Sequence, residues 1–239
     1  MGFMFMKKST KQTNTKLELQ RFDTNIFDVN FYRLSNINLV DLKDCLNRIS
    51  SEKKYIIDTK IDSTEIDISY NLLSLGFHKI CNQIEFVFNP TKKIDGIRSK
   101  IDIKRDINES LATELAENFV YDRFSQDPRI SKTKKNIFYK EWIINTFKSD
   151  EIYLACLDED FCSFKRFKNE IIIDLLSVIN KRKGNASDLL CCINNYAVLH
   201  NFKTIKVVTE VENLPAIKTY LKNGYSFNKF ISCFHFVKT

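Results

Sequence analysis

The chain has 239 residues, enough for one large domain or two small ones with a sizeable core. Apolar residues make up 44% and charged residues 28%, an ordinary globular balance, and no run approaches the ~20 apolar residues of a membrane helix. The formal charge of +7 comes from basic residues scattered along the chain. It fits surface solubility or an anionic small-molecule partner, and it argues against nucleic acid, which wants one basic stripe.

Residues 1–14 open with too short an apolar run for a signal peptide, and the charges follow that run. They are expected to form a disordered tail. Seven cysteines with no CxxC pair, and three histidines, offer no metal-binding pattern. No metal is expected, and reduced thiols point to the cytoplasm. A homodimer is compatible with the sequence.

In the first half, a strand over Tyr55–Lys60 leads to a helix over Glu65–Leu75, a glycine at 76 and a strand at Phe86–Phe88. Residues 89–96 collect Pro90, Gly96 and polar side chains, which read as a linker. The boundary is expected near 95, separating a half-domain over 15–95 from a larger domain over 96–239.

Past the linker, Ile101–Lys104 alternates as a strand. Helices follow over 109–121 and 134–147, the second with a stripe of Ile137, Phe138, Trp142, Ile143 and Phe147. The strands 152–157 and 161–167 flank Asp158-Glu159-Asp160 as a hairpin. Residues 171–178 are nearly continuous apolar strand, the pattern of a central strand covered on both faces. A helix over 187–199, a strand over 205–210 and a helix over 214–222 come next. Asn213 is a candidate cap, Pro215 lies in the first turn and Gly224 ends the helix. A strand over 227–237 closes the chain. The order β-α-α-β-β-β-α-β-α-β predicts a mixed α/β layer fold.

The chain also echoes itself. Leu72-Leu73-Ser74-Leu75-Gly76-Phe77 resembles Tyr220-Leu221-Lys222-Asn223-Gly224-Tyr225, with the glycines 148 residues apart (224 − 76). At the same offset Phe86 meets Phe234 and Phe88 meets Phe236. This predicts two related half-domains, the first incomplete.

The most informative stretch joins Val178 to the helix at 187. Three cations, Lys181, Arg182 and Lys183, precede Gly184, Asn185, Ala186 and Ser187. Unpaired amides at a helix N-terminus carry partial positive charge, and small residues let an anion approach them. The turn is either a pyrophosphate cradle or an ordinary basic connection.

Taken with Asn213, Ala216, Tyr220, Gly224 and Tyr225 downstream, this turn resembles the GNAT superfamily of N-acetyltransferases. That family has an acyl-coenzyme A loop of the form Q/R-x-x-G-x-G/A, matched here by Lys181, Gly184 and Ala186. Its next element has the form N-x-x-A-x-x-x-Y-x-x-x-G-F/Y. The resemblance covers about 101–239. The layout is also similar to the dTDP-fucosamine acetyltransferase group, through the N-terminal partial half with Phe22–Phe27, the segment Arg123–Ile130 before the Trp142 helix, and the ending Phe234-His235-Phe236.

The resemblance implies a GNAT fold preceded by an incomplete GNAT-like half. It implies acetyl-coenzyme A as acyl donor and the amine of a small acceptor, such as a nucleotide-activated amino sugar, as acyl acceptor. Gly184, Asn185, Ala186 and Ser187 would hold the pyrophosphate, with Lys181, Arg182 and Lys183 adding charge. Leu176, Ser177 and Val178 would pair with the pantetheine arm, and Asn213 and Ala216 would border the coenzyme. Tyr220 would protonate the departing thiolate; its other reading is a core aromatic. Asp174, a carboxylate within an apolar strand, would orient or deprotonate the amine, or else be fixed by neighbouring backbone or lysine groups. Arg123, Asp127 and Arg129 would border the acceptor, or else be surface charge.

The chain departs from the family pattern in having Lys181 for Gln or Arg. Its first half carries Leu72 where the second has Tyr220, and it lacks the G-x-G/A loop, so that half is not expected to bind the coenzyme. A peptide N-acetyltransferase and a non-catalytic GNAT-like binding module remain alternatives.

Overall fold

The computed structural model describes residues 14–103, 105–179 and 181–238, so nearly all of the expected tail lies outside it. The described residues form two compact units. Among these residues the first comprises 14–60, 65–78 and 234–238, and the second comprises 61–64 and the described part of 79–233. Among the described residues no helix is long and apolar enough to cross a membrane.

The first unit begins with β1 (Lys16–Leu19), α1 (Arg21–Phe27), β2 (Asn30–Ser35) and α2 (Leu42–Asn47). It continues with β3 (Tyr55–Asp62), which ends just past the unit, and α3 (Ile66–Ser74). β1 runs antiparallel to β2, and β2 parallel to β3. Phe31, Leu34, Leu42, Ile57, Leu72 and Phe77 are its buried apolar residues, joined by Phe234 from the far end of the chain. The first four elements were not apparent in the sequence, because each is seven residues or fewer and shows too little periodicity to read.

The second unit runs from β4 (His78–Phe88), whose first residue belongs to the first unit, to β5 (Lys100–Ile103), α4 (Glu109–Glu117), α5 (Arg123–Gln126) and α6 (Lys132–Lys148). Then come β6 (Tyr153–Leu157), β7 (Asp160–Phe167), β8 (Glu170–Ser177), α7 (Asn185–Leu199), β9 (Thr204–Glu210), α8 (Leu214–Lys222) and β10 (Ser226–Lys238). β10 lies beside β4, and from β4 the strands continue in the order β4-β9-β8-β7-β6-β5. From β4 to β5 all neighbours are antiparallel except β8 and β9, so the sheet is mixed.

One face of this sheet is closed by α7, whose Leu189, Leu190, Ile193 and Ala197 are buried with Ile171, Ile173, Ile205 and Val207. Burial of apolar side chains at helical spacing is the main force holding α7 on the sheet. Elsewhere in the unit Phe147 of α6 meets Phe161 of β7 edge to face, 5.0 Å apart. Helix starts follow the side chains that can cap them: Asn108 accepts from Leu111 N at 2.8 Å, and Asn213 from Ala216 N at 3.3 Å. The single turn of α5 exists because Asp122 accepts from Phe124 N and Ser125 N. From the sequence no element is expected here, between the helices over 109–121 and 134–147.

The segment read as a linker lies inside the second unit, strapped along α7. Asn195 exchanges two hydrogen bonds with the backbone of Ile94, and Asn194 donates to Lys92 O. Asp188 accepts from the amides of Arg98 and Ser99.

The internal echo is structural. Gly76 and Gly224 sit at φ +89° and +81°, a left-handed conformation that ends α3 and α8. In each turn the same bonds recur: Phe77 N to Leu72 O at 3.0 Å, and Tyr225 N to Tyr220 O at 3.1 Å. A Cβ on Gly76 would lie 3.3 Å from the Phe236 ring, and one on Gly224 would lie 3.3 Å from the Phe88 ring. Phe88 and Phe236 are themselves 148 residues apart (236 − 88). Each repeat's glycine therefore packs on the closing strand of the other repeat: residues 234–238 finish the first unit, and 79–88 belong to the second.

Alanine at either glycine meets both a left-handed backbone, costing about 1–2 kcal/mol, and an aromatic ring. Gly76→Ala and Gly224→Ala are each expected to lower the free energy of urea unfolding by at least that much, read as a lower midpoint with little change in slope.

Candidate active site

The site begins with an irregularity in β8. Ser163 of β7 faces Leu175 and Phe164 faces Ile173, so Asp174 is an extra residue with no partner across the strand pair. Such a bulge shifts which side chains face which side. Ile171 and Ile173 pack into the α7-side core. Beyond the bulge Leu176 and Val178 pack there instead, and Ser177 turns to α4, where its Oγ donates to Leu115 O. The apolar run with one carboxylate in it is thus two strand segments of opposite parity joined at Asp174. The carboxylate sits 2.8 Å from Lys165 Nζ, and the side chain is 21% exposed.

The same bulge ends the contact between β8 and β9. They pair at Glu170–Thr204, Ile171–Ile205 and Ile172–Lys206, and the recorded pairs stop there. β8 continues against β7 to Ser177, and β9 against β4 to Glu210. The two parallel strands therefore part into a V whose inner edges carry backbone groups no longer engaged across the gap.

A cavity of about 530 Å³ lies beside the end of β8, between it, the α7 turn and α8. Of the sequence-predicted site residues it is lined by Leu176, Ser177, Val178, Lys181, Arg182, Gly184, Asn185, Ala186, Ser187, Asn213, Ala216 and Tyr220. Lys183, Asp174, Arg123, Asp127 and Arg129 are not part of that lining. The structure adds Asn118, Pro215, Thr219 and Lys222. Lys222 lies outside the pattern that marks α8 and carries the same charge as Lys218 one turn before it, and Asn118 is hidden by the chain distance between α4 and β8.

The turn into α7 is held from behind. Asp160, 1% exposed, accepts from Ile179 N and from Asn185 Nδ2, both at 2.6 Å. Asn185 is thereby a buried brace whose Oδ1 also accepts from Arg98. Arg182 and Gly184 both take positive φ, 66° and 82°, and Gly184 is the N-cap of α7. Open space surrounds the position where a Gly184 side chain would stand. Asp188 makes the first helical bond, to Gly184 O at 3.0 Å, so the amides of 185–187 precede the helical ladder and form the donor end of a fifteen-residue helix. The Ser187 hydroxyl accepts from Asn223 Nδ2 at 2.9 Å, which ties α7 to the end of α8.

Asn213 is spent on structure: its Oδ1 caps α8 and its Nδ2 donates to Thr209 Oγ1 at 3.0 Å. Tyr220, 5% exposed, packs against the rings of Phe86 and Tyr225 and reaches the cavity. Burial, with smaller contributions from Cys162 and Glu210, raises its phenol pKa far above the ordinary value of 10.0. The phenol therefore keeps its proton at any physiological pH.

The α4–α6 connection pairs internally. Arg129 binds Asp127 bidentately, Nε to Oδ1 and Nη2 to Oδ2, both at 2.8 Å, and Asp127 is 1% exposed. The Arg123 guanidinium is buried over the Phe124 ring, 4.2 Å from its centre. Lys135, 3% exposed, donates to Phe119 O at 2.8 Å and ties the turn after α4 to α6.

No protein-family model matches the chain, and no curated protein matches its sequence. Solved structures share its fold. A GCN5-related N-acetyltransferase from Sphaerobacter thermophilus aligns over 93% of this chain and 76% of its own, with a TM-score of 0.59 at 9% identity. One from Kribbella flavida aligns over 86% and 80%, with a TM-score of 0.54 at 10% identity. A tandem GNAT protein from the clavulanic acid biosynthesis pathway aligns over 88% and 76%, with a TM-score of 0.53 at 10% identity. The chain has the GNAT fold, and the likeness is one of fold alone.

The strap behind the turn is testable by pH. Burial pushes the Asp188 carboxyl up, but the Ser99 hydroxyl, the Arg98 and Ser99 amides and the Arg98 guanidinium more than offset it, and its pKa lies below the ordinary 3.8. A depressed carboxyl stabilises the fold above its unfolded value and loses that contribution as pH falls through the lower folded value. Denaturant unfolding of the wild type and Asp188→Asn should show a wild-type advantage that is constant at neutral pH and shrinks once the pH drops below 3.8.

Proposed function

We propose that this protein is an N-acetyltransferase, moving the acetyl group of acetyl-coenzyme A to a primary amine of a small acceptor by direct attack in a ternary complex. The observation that carries the reading is the meeting, in one cavity, of an α7 donor end flanked by cations with a buried tyrosine from α8. An anionic pyrophosphate suits the amides of 185–187 beside Lys181, Arg182 and Lys222, and Lys183 adds charge to the turn. The parted strands offer the backbone edge of Leu176–Val178 to an amide-bearing arm. The carbonyl of a thioester lying there would be polarised by such donors.

The chemistry required of the chain is then small. The acceptor nitrogen bonds to the carbonyl carbon, the carbon–sulfur bond breaks and the sulfur takes the Tyr220 proton; the nitrogen releases one proton to solvent, and solvent returns one to the phenol. Tyr220 suits the donor role because its burial keeps the phenol protonated where it lines the cavity, able to hydrogen-bond the departing sulfur as it takes on charge. The ion pair of Asp174 with Lys165, and its place outside the cavity lining, favour a role in holding the bulge over one as proton acceptor.

The +7 charge motivates nucleotide-activated amino sugars as the first acceptor class to screen. The engagement of Arg129 with Asp127 removes one loop arginine from that argument. Turnover of polyamines or peptides, with none of dTDP- or UDP-amino sugars, would reject that acceptor class.

Calorimetry is expected to give micromolar affinity for acetyl-coenzyme A, about −8 kcal/mol. Gly184→Glu, placing a carboxylate where the phosphate would sit, should abolish binding in a folded protein. With an acceptor in hand, Tyr220→Phe should cut kcat by about 10²-fold while keeping coenzyme affinity. Unchanged turnover would remove the tyrosine from the mechanism.

A further inference from the structure

We propose that Asn118, the residue that ends α4, seats the nitrogen of the acceptor amine with its side-chain carbonyl oxygen. The inference deepens the reading of the cavity as an acetyl-transfer site and rests on it.

Asn118 is half-buried and lines the same cavity as Ser177, Val178 and Tyr220. Its Nδ2 lies 3.1 Å from Ser177 Oγ and 3.4 Å from Val178 O. Both partners demand the amide's NH₂ edge. Ser177 Oγ gives its own proton to Leu115 O at 3.1 Å, so toward Asn118 it can only accept, and a backbone carbonyl can only accept. These two demands fix which way the carboxamide faces. They leave Oδ1 as an acceptor that no described residue fills.

Its position says what it would accept. The polar end of the cavity at α7 is a donor end, suited to phosphates. Tyr220 enters from α8 and offers a proton. Asn118 comes from α4, on the side of β8 to which Ser177 turns, whereas Leu176 and Val178 face α7. An acceptor oxygen beside the reacting end, across the strand from the phosphate turn, is matched by an N–H. A primary amine has such a hydrogen to give, and giving it to a fixed oxygen directs the nitrogen lone pair toward the carbonyl carbon. A carboxamide takes no proton, so this oxygen positions the nucleophile without deprotonating it.

The amide N–H groups of the pantetheine arm are the other source of the same hydrogen bond, and one comparison separates the two. Calorimetry at neutral pH would use coenzyme A, S-propyl-coenzyme A and S-(2-aminoethyl)-coenzyme A on the wild type and on Asn118→Leu, whose side chain is nearly isosteric. The two thioethers share every pantetheine amide and differ in the terminal amine, which extends past the sulfur toward the acceptor side. The wild type is expected to bind the aminoethyl compound about tenfold more tightly than the propyl compound. Asn118→Leu should abolish that preference while leaving the propyl affinity unchanged. Asn118→Ala, which adds no branched bulk, gives the same readout if leucine lowers the melting temperature. Absence of the preference in the wild type, or its survival in both variants, overturns the proposal. So does an equal weakening of both thioethers, which would assign Asn118 to the coenzyme. Failure of coenzyme A itself to bind the folded wild type is a separate result, and it removes the acetyl-transfer reading along with this one.

Discussion

The partial pairing of β8 with β9 is the constraint on which the site depends. Two parallel strands in the middle of a sheet would ordinarily stay together along their length, because separating them leaves backbone donors and acceptors unpaired. Here one inserted residue, Asp174, bends β8 away after three pairs. The outer partners β7 and β4 hold the two strands in place while the gap between them opens. The cost is tolerable only if something else satisfies the exposed edges, and an extended ligand with its own amides would do so. Tyr220, the α7 turn and Asn118 line that opening from three different elements.

Two of the turns that build the site are legible in the sequence. α8 is legible to the residue, because Asn213, Pro215 and Gly224 mark both ends with chemistry that few other conformations need. The Gly184 turn is legible because a Gly-poor chain spends a glycine there, between a central strand and a helix. Asp174 shows the limit. A carboxylate in an apolar run signals that something is unusual, but a buried base and a bulge residue leave the same trace in one sequence. Only the register of β7 against β8 separates them. α5 and the elements before β3 failed for a plainer reason: a helix of four to seven residues has too few turns to display a period, and its existence rests on a cap such as Asp122 or on tertiary contacts.

The strap over 89–99 teaches a related lesson. Its composition is that of a linker, with proline, glycine and lysines. Its conformation is set by Asp188, Asn194 and Asn195, side chains a hundred positions downstream. Composition reports what the local chain can bury, and it is silent about hydrogen-bond partners supplied from elsewhere.

The repeat explains why one turn with one set of bonds supports two outcomes. Leu72 and Tyr220 occupy the same place, each accepting at its carbonyl from the amide just past the glycine. Leu72 is fully buried and has no proton to give. The helix of the first unit that corresponds to α7 is the six-residue α2, and its N-cap is Asp41, a carboxylate already engaged by the Thr15 amide and hydroxyl. A negative side chain at that end cancels the partial positive charge that an anion would seek. The two repeats thus share the scaffold of strand, helix, glycine turn and closing strand. The loss of a donor end and of a phenol argues against coenzyme chemistry in the first unit, and it leaves the exchanged phenylalanines as what that repeat contributes to the rest of the chain.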